Sequence, residues 1–385
     1  MISISNSNVI GGLPANLSGG AAPVNHDFVS TWDTTQAGSA SDTIVLPLLS
    51  GGVYSGTIDW GDGNSDTLSY ANRTHIYASS GTYTITISGA ISDFSFQGVG
   101  DTAKIINVSN WGTLNIDTRW AFRSSVNLTI TATDAPTFTS TNFNLMFFNC
   151  DALVDPDFSA WDVSNVTDFS FMFSGCALLN TNSMANWDTS NGTNFSSMFT
   201  SCPSFNGDLS GFDFSSTTSL FSIFNGCTNF NRDISMWDVS GITNFGNLFT
   251  SCSRFNQPIG VWDISSATRI NGIFNSATDF NKPLPWNTSL VTNMSSTLRS
   301  MTSFNQDISS WDINQVSNFN LFMYSTTIST ANYDALLIAW DAQGAMAYSG
   351  TVSFGTSQYT SGGAAEAART SLIAKWGGIT DGGAA

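Results

Sequence analysis

The stretch WDVSNVTDFSFMFSGCALLN, residues 161–180, decides the fold, because it returns in register as WDVSGITNFGNLFTSCSRFNQ at 237–257 and WDISSATRINGIFNSATDFNK at 262–282. Aligned on these segments, residues 161–323 divide into units of 25 residues with slips of one. The anchor is a tryptophan column, Trp161, Trp187, Trp237, Trp262, Trp286 and Trp311, with Phe212 in the remaining place. Twelve residues after each anchor stand Phe173, Phe199, Phe224, Phe249 and Phe274, then Leu298 and Met323. Three further on come Cys176, Cys202, Cys227 and Cys252, then Ala277 and Met301. A last apolar column, Leu179, Phe205, Phe230, Phe255, Phe280 and Phe304, is usually followed by Asn.

Units this short cannot bury their own apolar face and do so against their neighbours, so the fold grows in one dimension. Segments 166–169 (VTDF) and 242–245 (ITNF) alternate branched, polar and aromatic residues, a pattern that predicts short strands. Gly, Asn, Asp and Ser between the columns predict corners, and the units contain no run of helix formers. The expectation is a mainly β solenoid of stacked coils, each strand pairing with its equivalent one coil on at about 4.8 Å.

The three quoted segments resemble the repeats of BspA-like leucine-rich-repeat surface proteins, also described as DUF285 or PARCEL repeats. Tryptophan, Asp, MF-type and Cys-x-x-Phe-Asn positions recur together in register. The departures fall in two coils, at Phe212 and around Trp286, where Asn287, Leu298 and Met301 replace the Asp, Phe and Cys of the pattern. The resemblance implies a non-enzymatic protein of surface display or adhesion.

Upstream, residues 1–27 are Gly, Asn, Ser and Ala with few large side chains and read as a flexible or docking arm. Residues 28–89 predict a small β-module with strand-like runs DTIVLPLL and TYTITISG around IDWGDGNSD. The Asp59-Trp60-Gly61-Asp62-Gly63 turn with later His75, Tyr77, Gly81 and Tyr83 resembles a PKD-type immunoglobulin-like sandwich. Residues 90–325 form the LRR-like solenoid, whose divergent first coils place Phe122 and Phe147 in the phenylalanine column. About nine coils make it roughly 40 Å long. Phe94, Phe96, Ile105, Ile106 and Val108 are expected to cap its first edge. Residues 326–385 close it with an α/β cap: ANYDALLIAWDAQ spaces Tyr333, Leu336, Leu337 and Trp340 as one helix face, TVSFG is strand-like, and AAEAARTSLIAKW is a second helix covering the last coil.

Charged residues make up 10% of the chain and aromatics 13%, so solubility rests on neutral polar groups and disorder is excluded. A net charge of −17 with 11 basic residues argues against nucleic acid or an anionic membrane as partner. No apolar run reaches the ~18 residues of a membrane span, and residues 1–20 lack the basic and apolar regions of a secretory signal. All five cysteines, Cys150 included, fall in one column, which favours buried reduced thiols over a zinc cluster and leaves disulfides between neighbouring coils as the alternative.

A catalytic constellation is not expected. His26 lies in the arm and His75 in the PKD-type motif, where it reads as structural. The column Asp162, Asp188, Asp213, Asp238, Asp263 and Asp312 recurs in almost every coil, whereas a catalytic carboxylate pair is unique, so these side chains are read as bonding backbone donors at corners. Asp59, Asp62 and Asp66 are candidate ligands for a structural calcium ion, set against a plain turn-shaping role. No other cofactor is expected.

The expected binding face carries Phe171, Asn247, Arg269 and Arg299. The leading functional expectation is a bacteriophage virion accessory protein, a fibre, spike or capsid decoration, held to capsid or tail proteins through the arm. It would bind a host surface protein or glycan, or stabilise the particle. The alternative is a bacterial cell-surface or secreted adhesin; a homo-oligomer fits either setting.

Overall fold

The computed structural model describes residues 27–344 and 347–385. The arm expected over 1–27 lies outside these residues except for Asp27. The chain is mainly β, with two α-helices near the C-terminus.

In β1 (Phe28–Asp33) alternate residues face inward, so Phe28, Ser30 and Trp32 are buried. β2 (Thr43–Val45), β3 (Tyr54–Asp59), β4 (Ser65–Thr67), β5 (Thr74–Ile76) and β6 (Thr82–Ile91) follow. β6 is sandwiched between β1 and β3, β3 carries β4, and all three pairings are antiparallel. β2 and β5 pair separately. Gly56 and Gly89 face each other across β3 and β6 with φ of 118° and 91°, and a Cβ on either would strike the other strand's carbonyl.

β7 (Ile105–Asn110), β8 (Asn115–Ile116), β9 (Thr129–Ile130) and β10 (Thr137–Phe138) join this sheet to the repeats. β7 is antiparallel to β1 on one side and parallel to β9 on the other, and β8 and β10 pair in parallel. The sheet therefore runs past the expected boundary at 89, which falls inside β6, and turns from antiparallel to parallel at β7. Of the residues expected to cap the first edge, Ile105, Ile106 and Val108 lie in β7 of this sheet, while Phe94 and Phe96 lie in the link before it; all but Ile106 are buried. Below it lies a polar lock. The fully buried Lys104 donates through Nζ to the carbonyls of Ser39, Ala40 and Thr43 and to Ser39 Oγ at 2.8–3.1 Å. The carboxylate of Asp101 accepts the backbone N–H groups of Ser39 and Val45, each at 2.6 Å.

From Asn142 onward the repeats stack in parallel. Asn142 bridges Asp168 and Asp168 bridges Asn194; Ser219, Asn244, Arg269, Asn293 and Asn318 are linked in the same way. The strands expected over 166–169 and 242–245 shrink to these single bridges, and the reason lies in the backbone. Phe169, Phe171, Phe173 and Gly175 donate N–H to the next repeat, while Met172, Ser174 and Cys176 donate back three residues within their own. Alternating crosswise bonds and tight turns satisfy every second N–H locally, so no extended run survives. Two positions four residues apart sit at positive φ in each repeat: Trp120 and Ser124, Leu145 and Asn149, Phe171 and Gly175, continuing to Leu321 and Ser325.

The columns read from the sequence become continuous contacts. Phe122, Phe147, Phe173, Phe199, Phe224, Phe249 and Phe274 stack ring on ring with centroids 5.6–6.0 Å apart, within the favourable offset-stacked range. Trp187, Trp237, Trp262, Trp286 and Trp311 each donate their indole N–H to a carbonyl of the preceding repeat at 2.9–3.2 Å. Trp161, the first of the column, has no such acceptor. The Asn after the last apolar column forms a ladder: the side-chain oxygens of Asn180, Asn206, Asn231, Asn256 and Asn281 accept the N–H of the corresponding Asn one repeat on, and Asn305 accepts from Ser329. The five cysteines are free and buried. Each thiol donates to the carbonyl of the preceding repeat's column phenylalanine at 2.9–3.1 Å, and burial pushes every one of them well above the ordinary thiol range.

Ser329 caps α1 (Thr330–Asp341), which buries Tyr333, Leu336, Leu337 and Trp340, the face their spacing predicts. β11 (Gly350–Ser353), α2 (Ala364–Trp376) and β12 (Gly377–Thr380) complete the chain. The boundary expected between the solenoid, 90–325, and its α/β cap, 326–385, does not interrupt the stacking. Met323 donates to Ser353 in β11, and β11 pairs in parallel with β12, so stacking continues for two more layers. The helices fill the longer connections between these layers and pack on each other.

Candidate functional site

The Asp-Trp-Gly-Asp-Gly turn is wired to itself. Asp59 accepts the N–H of Gly61, Asp62 accepts Asn64 N–H and Nδ2–H, and Asp66 accepts the indole N–H of Trp60 at 2.9 Å. His75 stacks on Trp60 at 4.8 Å, meets Tyr77 edge-on, and lies 2.9 Å from Asp62 through Nε2. The partial burial of Asp62 favours its neutral form, but the bonds from His75 and Asn64 outweigh it and hold the carboxyl at about 2. The three calcium candidates are thus not gathered round one point. Among the described residues no group of three or more His, Cys, Asp or Glu is placed to hold a metal ion.

The recurrent acids sit at corners. Asp162, Asp188, Asp213, Asp238 and Asp263 each accept the N–H of the Ser two residues on, and Asp312 accepts that of Asn314. Hydrogen bonds from the Ser hydroxyl and then the backbone keep Asp162, Asp188, Asp238 and Asp263 below the usual carboxylate range. Their oxygens shape the chain rather than converge on a substrate.

Phe171, Asn247, Arg269 and Arg299 do not form one cluster. Phe171 and Asn247 share the first positive-φ column but are separated by Ser197 and Ser222. Phe171 is 39% exposed, and the Asn247 side chain lies over Gly272. Arg269 is exposed in the bridge column between Asn244 and Asn293. Arg299 rests over Tyr324 at 5.6 Å with its Nε buried and unpartnered. They mark separate points along the stack, at three different positions within the repeat.

Sequence reasoning missed the denser group at the other end. In the first repeat, TRWAFRSS (118–125), Arg119 and Arg123 lie over Trp120 at 4.4 and 5.5 Å. The signal was two arginines around a tryptophan in a chain with 11 basic residues, but the tryptophan lies outside the main tryptophan column.

Parallel repeats with varied outward side chains define a repeat protein. The chain belongs to the family described as Mycoplasma protein of unknown function, DUF285, whose pattern matches residues 141–259 and 243–356, more than half of the chain. No curated protein and no solved structure matches it. Among the described residues no helix is long and apolar enough to cross a membrane.

Proposed function

We propose that the chain is a non-enzymatic display and adhesion protein. It is an LRR-like solenoid of about nine coils preceded by a PKD/Ig-like module, and its outward columns bind a surface protein or glycan. One observation carries this reading: at the same left-handed backbone position successive repeats place Trp120, Leu145, Phe171, Ser197, Ser222 and Asn247, with Phe171 exposed and the two serines buried. A constant frame in which this position changes in size and exposure suits recognition, because the side chains there vary without cost to the stack. The test is binding of the purified chain to intact candidate host cells, with and without protease or glycosidase treatment. Saturable binding lost on one treatment supports adhesion; no saturable binding to any cell overturns it.

For its setting we propose a bacteriophage particle, where the chain is a fibre, spike or capsid decoration joined to other virion proteins through residues 1–27. Five free buried thiols suit assembly in a reducing cytoplasm. The resemblance to BspA-like surface repeats favours the second reading, a bacterial cell-surface adhesin. Mass spectrometry of purified particles and of cell envelopes separates them. The chain in envelopes but absent from particles overturns the virion reading.

A further inference from the structure

Where the N-terminal sheet meets the stack, two adjoining grooves of about 490 and 420 Å³ share Leu49, Ser95 and Gln97. Two guanidinium groups line them, Arg73 in one and Arg119 in the other, each laid on an aromatic ring, and a third, Arg123, lies behind Trp120. Arg73 lies 3.8 Å over Tyr70, Arg119 lies 4.4 Å over Trp120, and Arg123 lies 5.5 Å from Trp120 and 5.6 Å from Phe148. Trp120 is fixed in turn by its indole N–H, which donates to Asn144 Oδ1 at 3.1 Å. Arg123 packs against Gly98, and its buried Nε has no hydrogen-bond partner; neither has the buried Thr118 Oγ1.

Acidic residues outnumber basic ones 28 to 11, and among the described residues Arg73 and Arg119, like most of the basic side chains, form no salt bridge and keep their charge free for a ligand. Each groove also has one carboxylate in its wall, Asp101 in the first and Asp117 in the second, turned to backbone N–H groups rather than to the arginines. Asp117 accepts the N–H of Asp93 at 2.7 Å, and Asp101 is held by Ser39 and Val45. The stack does not require Trp120: later repeats have Ser197, Ser222 and Asn247 at its position, whereas the Arg123 arrangement recurs at Arg299 over Tyr324.

We propose that this groove binds an acidic oligosaccharide, a chain of sugars bearing carboxylates. A guanidinium fork matches a carboxylate in two parallel hydrogen bonds. Stacking on rings orders the arginines before binding, which lowers the entropy lost on association. Arginines along both adjoining grooves suit a polymer with repeated carboxylates. Gln97, Ser140 and Asn142 supply hydroxyl and amide groups for sugar hydroxyls. The inference rests on the reading of the chain as a ligand-binding surface protein.

The experiment is calorimetry of the full chain with a panel of uronate oligomers, galacturonate, mannuronate and guluronate, beside their methyl esters and oligoglutamate. The expected result is binding to at least one uronate that is roughly tenfold or more weaker for its methyl ester, for Trp120→Ser and for Arg119→Gln. Trp120→Ser is chosen because Ser197 and Ser222 occupy the equivalent backbone position, and an unchanged melting curve confirms its fold. No binding to any uronate, or equal binding of oligoglutamate, overturns the proposal. Cell binding that persists in Trp120→Ser removes the groove while leaving adhesion standing; a wild-type chain that binds no cells removes adhesion itself.

Discussion

The stack and the N-terminal sheet are stabilised in opposite ways. In the stack every contact is a copy. The ring of Phe224 meets Phe199 at 6.0 Å and Phe249 at 5.9 Å, the thiol of Cys227 meets the carbonyl of Phe199, and Asn231 receives the N–H of Asn256. Each is an exchange between neighbouring repeats. The sheet depends on single contacts that join distant segments, such as Lys104 and Asp101 to the loop 39–45. A repetitive structure distributes its stability over interfaces, whereas the sheet concentrates it at one lock.

Replacing Lys104 by Met tests the lock most severely. It strips the carbonyls of Ser39, Ala40 and Thr43 of their charged donor, at a cost of about 3–5 kcal/mol, since each buried acceptor left unsatisfied costs roughly 1–3 kcal/mol. Hydrogen exchange should rise throughout β1 to β7 while repeats beyond Phe173 stay protected; uniform loss along the chain would contradict the contrast between regions. Phe224→Ala removes a ring from the centre of its column, with an expected loss of about 3–5 kcal/mol. Here exchange should rise in the adjoining repeats and leave the N-terminal sheet unchanged.

Cys227→Ala should be milder, about 1 kcal/mol. The carbonyl it leaves still accepts the N–H of Cys202, and Ala277 already occupies the column. Chemical denaturation of the two column variants ranks them, and a loss from Cys227→Ala as large as that from Phe224→Ala would mean that the thiol column carries more than packing. The smallest effect is expected at Asp62. Its carboxyl is held at about 2, against an ordinary 3.8. A depressed acid stabilises the fold above the ordinary value and loses that contribution as pH falls through the depressed one. Thermal melts between pH 5 and 1.5 should therefore show an acid-side loss that Asp62→Asn reduces.

The columns were legible because each repeat tests the same pattern again: a position that is aromatic in one unit and aromatic 25 residues later faces the same interior. Tyr333, Leu336, Leu337 and Trp340 were legible for a related reason, a helical period on one buried face. The junction was not. β7 joins an antiparallel sheet to parallel repeats through partners at β1 and β9 that share no motif, and the two layers after Met323 are hidden by the helices between them. The arginine-aromatic groove was missed because Arg73 and Arg119 come together only through the packing of the module on the first repeat.

The sequence by itself determined the repeat, its interior columns and the acid corners, since a period of 25 residues imposes one environment on every equivalent side chain. Only the tertiary structure decided that strands reduce to single bridges, that the sheet flows into the stack, and that two guanidiniums laid on aromatic rings border adjoining grooves. Periodicity reports which residues share an environment. It carries no information about where two non-repeating segments meet, because that depends on the closing of backbone hydrogen bonds between strands far apart in the chain.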